Sequence, residues 1–71
     1  MTQQEALSAV RQATTDYVAA IETEELDDED TEWLEWLQRR SVVRALDAGC
    51  PPSAVKSATI EAVEEVVACR A

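Results

Sequence analysis

The chain has 71 residues, of which 46% are hydrophobic, and its 15 acidic and 6 basic side chains give a formal net charge of −9. This length allows one small domain and leaves no room for a nucleotide-binding βαβ unit. The sequence lacks histidine, the commonest general base and metal ligand, and its one glycine cannot form a phosphate-binding loop. We therefore expect no enzyme, no cofactor and no metal site.

The first predicted helix covers residues 3–24. It begins with Thr2 and Glu5 in the spacing of a capping box, in which the threonine hydroxyl accepts a hydrogen bond from the glutamate amide. Residues that fit one buried helix face then recur every three or four positions: Leu7, Val10, Thr14, Tyr17 and Ile21. Alanines flank this face at a seven-residue repeat, which favours the close approach of another helix: Ala6, Ala13 and Ala20.

The acidic segment, residues 22–32, comes next and contains eight acidic side chains. We predict a connection at about 25–30, with Asp28, Asp30 or Thr31 as the N-cap of the following helix. One interpretation of the segment is a solvated loop, and a second is contact with the basic surface of a partner protein. A third is a calcium loop, but Trp33 and Arg39 occupy the positions that an EF-hand gives to glycine and glutamate.

The second predicted helix covers residues 31–48, and one apolar arc of it faces the other helices: Leu34, Leu37, Ser41, Val42, Ala45 and Ala48. Outside this arc, tryptophan, valine and leucine alternate with arginine: Trp33, Trp36, Arg39, Arg40, Val43, Arg44 and Leu46. Tryptophan and arginine are enriched at binding hot spots, so this face predicts an interface, most simply with a second copy. Alternatively, the tryptophans cap a small core and the arginines neutralise the acidic segment.

Within that second face, we predict that the stems of Arg40 and Arg44 cover Trp33. Trp36, which lies nearer Val43 on the helical wheel, is then the better candidate for the interface.

Helix 2 ends at Gly49, in the C′ position, followed by two prolines, and a third helix is predicted over residues 53–69. Its predicted buried face consists of Val55, Thr59, Ala62, Val66 and Cys69, and it is widened by Ile60, Val63 and Val67. Cys50 and Cys69 flank this helix about 28 Å apart, too far for a disulfide. Free thiols that pack as small apolar groups are typical of a cytoplasmic protein. The longest apolar run, residues 17–21, is far shorter than the ~20 residues of a membrane span.

Helix 2, the turn and helix 3 resemble a helix-turn-helix over about 20 residues. Ala45, Gly49 four positions later and Val55 six further on match the small, turn and core positions of that motif. The resemblance implies DNA binding, but the third helix carries glutamates that phosphates would repel: Glu61, Glu64 and Glu65. We therefore expect no direct contact with nucleic acid.

The sequence thus predicts one all-α domain of three helices, packed as a small bundle and completed by self-association, because only 21 of its hydrophobic residues are larger than alanine. The predicted function is that of a non-enzymatic inhibitor or adaptor, which places the acidic segment on a basic, nucleic-acid-binding surface of a larger protein. The alternative is a homo-oligomeric structural or assembly subunit in which the acidic segment only solubilises. The predicted partner-binding residues are Glu24, Glu25, Asp27, Asp28, Glu29, Asp30, Glu32, Trp33, Trp36 and Arg40.

Overall fold

The computed structural model describes residues 2–23 and 27–70, apart from the side chain of Arg70. This part of the chain forms three α-helices: α1 (Gln3–Thr23), α2 (Asp28–Asp47) and α3 (Pro52–Arg70). The all-α prediction is confirmed. The predicted helix limits differ by at most one residue from those observed, except at the start of α2, which begins three residues earlier than predicted.

The early start of α2 corrects the predicted connection. Asp27 is the N-cap: its backbone is extended (φ −77°, ψ 175°) and its carboxylate accepts a hydrogen bond from the Asp30 amide at 2.9 Å. None of the three predicted caps has this role. Asp28, Glu29 and Asp30 instead form the first helical turn, where the positive end of the helix dipole stabilises carboxylates.

α1 is the central helix of the fold. It packs against both α2 and α3, whereas α2 and α3 make few contacts with each other. Because α1 and α2 pack side by side, they form a hairpin and not one continuous rod. The molecule is flat, with dimensions of 35 × 28 × 16 Å, and its shortest dimension is less than two helix diameters of about 10–12 Å. Each outer helix therefore has an outer side that the rest of the chain does not cover.

The core is built from small side chains. Its buried members are alanines, valines and a cysteine: Ala6, Val10, Ala45, Cys50, Val55 and Ala58. Ala6 is 1% exposed, which confirms that α1 is approached closely at this point of its alanine repeat. The predicted face of α1 is buried at Val10 and Thr14, while Ile21 at its far end is 47% exposed. Because these side chains are small, the core buries little apolar surface, and the fold can lose little of it.

The polar groups buried between α1 and α2 are hydrogen-bonded. Gln38 donates from its side-chain amide to the Thr14 hydroxyl at 3.4 Å, and the Ser41 hydroxyl donates to the Gln38 carbonyl at 2.6 Å. A buried hydroxyl without a partner would cost about 1–3 kcal/mol, so these bonds allow polar side chains on a core-facing stripe.

The core-facing side of α3 is only partly as predicted. Val55 and Ala62 are buried, and Ala58 is buried although it was not assigned to the core. Four residues assigned to this face are exposed and do not belong to the core: Ile60, Val63, Val67 and Cys69. Both cysteines are free thiols, as predicted. Among the described residues, none of the helices has the length and apolarity that a membrane span requires.

A glycine-dependent turn joins α2 to α3. Gly49 has a φ of +92°, its amide donates to the Leu46 carbonyl and the Cys50 amide donates to the Ala45 carbonyl, which is the Schellman arrangement. The side chain of Gln3 donates to the Gly49 carbonyl at 3.2 Å and so ties the start of α1 to this turn. The predicted C′ role of Gly49 is confirmed.

Replacing Gly49 by alanine is expected to lower the free energy of unfolding by about 1–2 kcal/mol, because a side chain disfavours a positive φ. The added Cβ would also lie 3.2 Å from the Gln3 side-chain nitrogen. Urea denaturation checks this prediction, with Ala48→Gly as the control at the neighbouring position, where φ is −75°. A Gly49→Ala variant as stable as the natural protein would contradict the expectation that a side chain at this position strains the backbone.

Candidate functional site: the outer face of the second helix

The outer face of α2 is the side that points away from α1, and it begins with the acidic turn, which we define as Asp28, Glu29, Asp30 and Glu32. All four side chains are exposed. Glu29, Asp30 and Glu32 line an open cleft of about 490 Å³ together with Trp33 and Trp36. The fold therefore places acidic and aromatic members of the predicted binding set on one continuous surface.

The remaining predicted acids differ from this group. Asp27 is occupied as the N-cap of α2, so its carboxylate has a structural role as well as a negative charge. Glu24 and Glu25 lie outside the described residues. The acidic turn is therefore the group of predicted acids whose position beside the indole rings the structure describes.

Trp33 and Trp36 form the indole pair of this face. Their rings are stacked, with centroids 5.2 Å apart and planes inclined by 19°. Trp33 is 59% exposed and Trp36 is 46% exposed. Both rings therefore keep surface that a partner could cover.

Arg40 packs on the indole pair at a position that corrects the sequence prediction. Its guanidinium carbon lies 5.1 Å from the centroid of the Trp36 ring, so the arginine covers Trp36 and leaves Trp33 as the more exposed ring. The four-residue spacing of Trp36 and Arg40 places them on adjacent turns of the helix. A cation–π contact at an exposed site is worth about 0.5–1 kcal/mol and holds this ring in place.

The arginines of α2 do not neutralise the acidic turn. Arg39 pairs with Glu35, one helical turn away, and Arg11 of α1 pairs with Glu61 of α3. Within residues 2–23 and 27–69, no basic side chain forms an ion pair with the acidic turn. Its carboxylates are therefore available to a partner.

Three exposed residues extend the same face beyond the predicted set: Arg39, Val43 and Arg44. Val43 is 55% exposed, and Leu46 beside it is 43% exposed. The signal for these residues was present in the sequence as the second apolar and basic face of helix 2. The outer face thus changes from acidic to aromatic to basic along the helix.

This face is suited to binding and offers no catalytic arrangement. Its groups are carboxylates, indoles and guanidinium ions, which recognise surfaces by charge and apolar contact, and it presents no nucleophile next to a base. Cys50, the thiol at the start of α3, is buried and donates to the Gln3 carbonyl at 3.6 Å. In the part of the chain that the structure describes, no group of acidic or cysteine side chains is arranged to hold a metal ion.

Ala45 and Val55, which match the small and core positions of the helix-turn-helix, are both buried. α3 presents exposed glutamates at positions 61, 64 and 65, and α2 presents its acidic turn.

No protein-family model matches the chain, and neither a curated protein nor a solved structure is significantly similar to it. The candidate site therefore stands on its own geometry.

Proposed function

We propose that this protein is a non-enzymatic inhibitor or adaptor, which docks the acidic turn and the indole pair of α2 on a basic, nucleic-acid-binding surface of a larger protein. The observation that carries the proposal is the cleft in which unpaired carboxylates adjoin two exposed, stacked tryptophans. Carboxylates present the same sign of charge as nucleic-acid phosphates, so they are attracted by the same basic grooves.

The two kinds of group would contribute differently to binding. From their exposed fractions, the two indoles keep on the order of 200 Å² of ring surface accessible. Covering that area would contribute at most about 5 kcal/mol at ~25 cal/mol per Å², before the entropic costs of association. An exposed charge pair contributes about 0.2–1 kcal/mol. We therefore assign most of the affinity to the indole pair, and the rate and orientation of association to the acidic turn.

A purely structural role for the acidic turn does not account for all of its members. Asp28, Glu29 and Asp30 lie in the first turn of α2, where each carboxylate stabilises the helix by about 0.3–1 kcal/mol. Glu32 lies beyond that turn, where the effect has fallen off, and yet it lines the cleft beside Trp33. This position favours recognition over helix stabilisation.

The test neutralises the cleft without removing the N-cap. In Glu29→Gln/Asp30→Asn/Glu32→Gln three carboxylates are lost, so the net charge changes from −9 to −6 while Asp27 stays in place. The immobilised protein is used to capture proteins from a lysate of its source cells, and the captured protein is then measured directly. We expect the triple variant to bind it at least tenfold more weakly, mainly through slower association, and with a flatter salt dependence.

The matched control is Glu5→Gln/Glu64→Gln/Glu65→Gln, which loses three exposed carboxylates elsewhere and has the same net charge. It should bind nearly as tightly as the natural protein, because distant surface charges are screened at a Debye length of about 8 Å. Added duplex DNA or RNA should displace the captured protein from the natural chain. Equal binding by the two triple variants, or capture that neither salt nor nucleic acid affects, would contradict the proposal.

A further inference from the structure

The charges on the outer face of α2 are ordered so that the face is complementary to itself. From the first turn onward its exposed charged and aromatic residues are acidic, then aromatic, then basic, and the acidic Asp47 ends the helix: Asp28, Glu29, Glu32, Trp33, Trp36, Arg39, Arg40, Arg44 and Asp47. Positions 29, 32, 36, 40 and 43 recur every three or four residues, as on the contact stripe of a paired helix. No other helix of the described chain covers this stripe.

We propose that a second copy of this chain covers it, as a two-fold symmetric dimer in which the two α2 helices run antiparallel and cross at Trp36. Residues equally far before and after Trp36 then lie at the same height along the contact. On the contact stripe this places Glu32 next to Arg40 of the second copy, four residues on either side of the axis. The two-fold axis makes this ion pair twice.

The antiparallel direction follows from the charge order. A parallel pair would place the acidic turn against the acidic turn and the arginines against the arginines, and like charges at that distance repel. From Glu29 to Val43 the contact would extend over about 21 Å at 1.5 Å per residue. Within it, Trp36 meets its own counterpart at the axis.

A second copy matches the whole face because both halves of the complement are present on one helix. A basic partner surface would engage only the acidic and aromatic part of the face. The dimer does not require the proposed function to be correct. If both hold, the second copy and the basic partner compete for the same face, so self-association would limit access to the acidic turn.

Charge reversal tests the dimer. The variants Glu32→Arg and Arg40→Glu each change two attractive pairs into two repulsive ones. We expect sedimentation at micromolar concentration to show a dimer for the natural chain and about tenfold weaker self-association for each variant alone. An equimolar mixture of the two variants should recover association, because the arginine introduced in one chain would face the glutamate introduced in the other.

Glu64→Arg provides the matched control, since it reverses an exposed charge on α3 and should leave the dimer unchanged. Circular dichroism on each variant checks that the exposed substitutions preserve the helices. A natural chain that stays monomeric at micromolar concentration would overturn the proposal, as would single variants that associate normally or a mixture that fails to recover. All these measurements use the purified chain alone. They can therefore disprove the dimer without bearing on the proposed binding of a partner protein.

Discussion

Replacing Val10 by alanine is expected to lower the free energy of unfolding by about 2 kcal/mol. Val10 is 0% exposed and is the largest completely buried side chain among the described residues, at the centre of a core otherwise made mostly of alanine. The loss combines the transfer free energy of two methyl groups with the cavity that they leave. Because a domain of this size has only a few kcal/mol of stability, the melting temperature should fall by about 10 °C.

Val67→Ala is the matched control for this core substitution. It removes the same two methyl groups from a residue of α3 that is 51% exposed. Its effect on thermal unfolding should lie within about 0.5 kcal/mol. Equal destabilisation by the two variants would mean that Val10 is not the centre of the shared core. The variants and the natural chain are compared at the same protein concentration, since self-association adds to the apparent stability.

Replacing Trp36 by alanine is expected to weaken self-association about 30-fold, equivalent to about 2 kcal/mol, while leaving helix content nearly unchanged. Trp36 lies at the inferred axis, so each dimer loses two rings together with the surface that Arg40 holds in place. The ring is 46% exposed in the single chain, so its removal opens no cavity in the core. Sedimentation and circular dichroism on the same samples measure both quantities.

Trp33→Ala provides the comparison within the indole pair. Trp33 is the more exposed ring and lies away from the axis, so its removal should weaken the dimer less than removal of Trp36. Loss of helix content in Trp36→Ala would place that ring in the core. Normal dimerisation at normal helix content would contradict the antiparallel arrangement.

The helices could be predicted from sequence because their signals are local. Thr2 accepts a hydrogen bond from the Glu5 amide at 3.1 Å, as the capping box predicts, and Gly49 has the positive φ that its C′ position predicts. The predicted start of α2 was wrong because several consecutive acids are each acceptable caps. Which one caps depends on backbone geometry, and here Asp27 takes the role and the next three residues continue the helix.

The way in which the three helices pack together was harder to predict from the sequence. Helix 2 carries apolar residues on two faces, which is compatible with a central position in a bundle, yet the central helix is α1. The alanine repeat of α1 was the better indicator, because small side chains allow a neighbour on each side. The ring that Arg40 covers could not be predicted either. The helical wheel places Arg40 between Trp33 and Trp36, and the side-chain conformations decide that it covers Trp36.

The central position of α1 also determines when this fold can form in the cell. α1 leaves the ribosome before its two neighbours, but α2 and α3 each bury their inner side on α1 and make few contacts with each other. The core therefore stays incomplete on one side of α1 until α3 has been synthesised. We expect folding to follow the emergence of α3 and to involve all three helices in one cooperative step, with an apolar side of α1 open to chaperones until then.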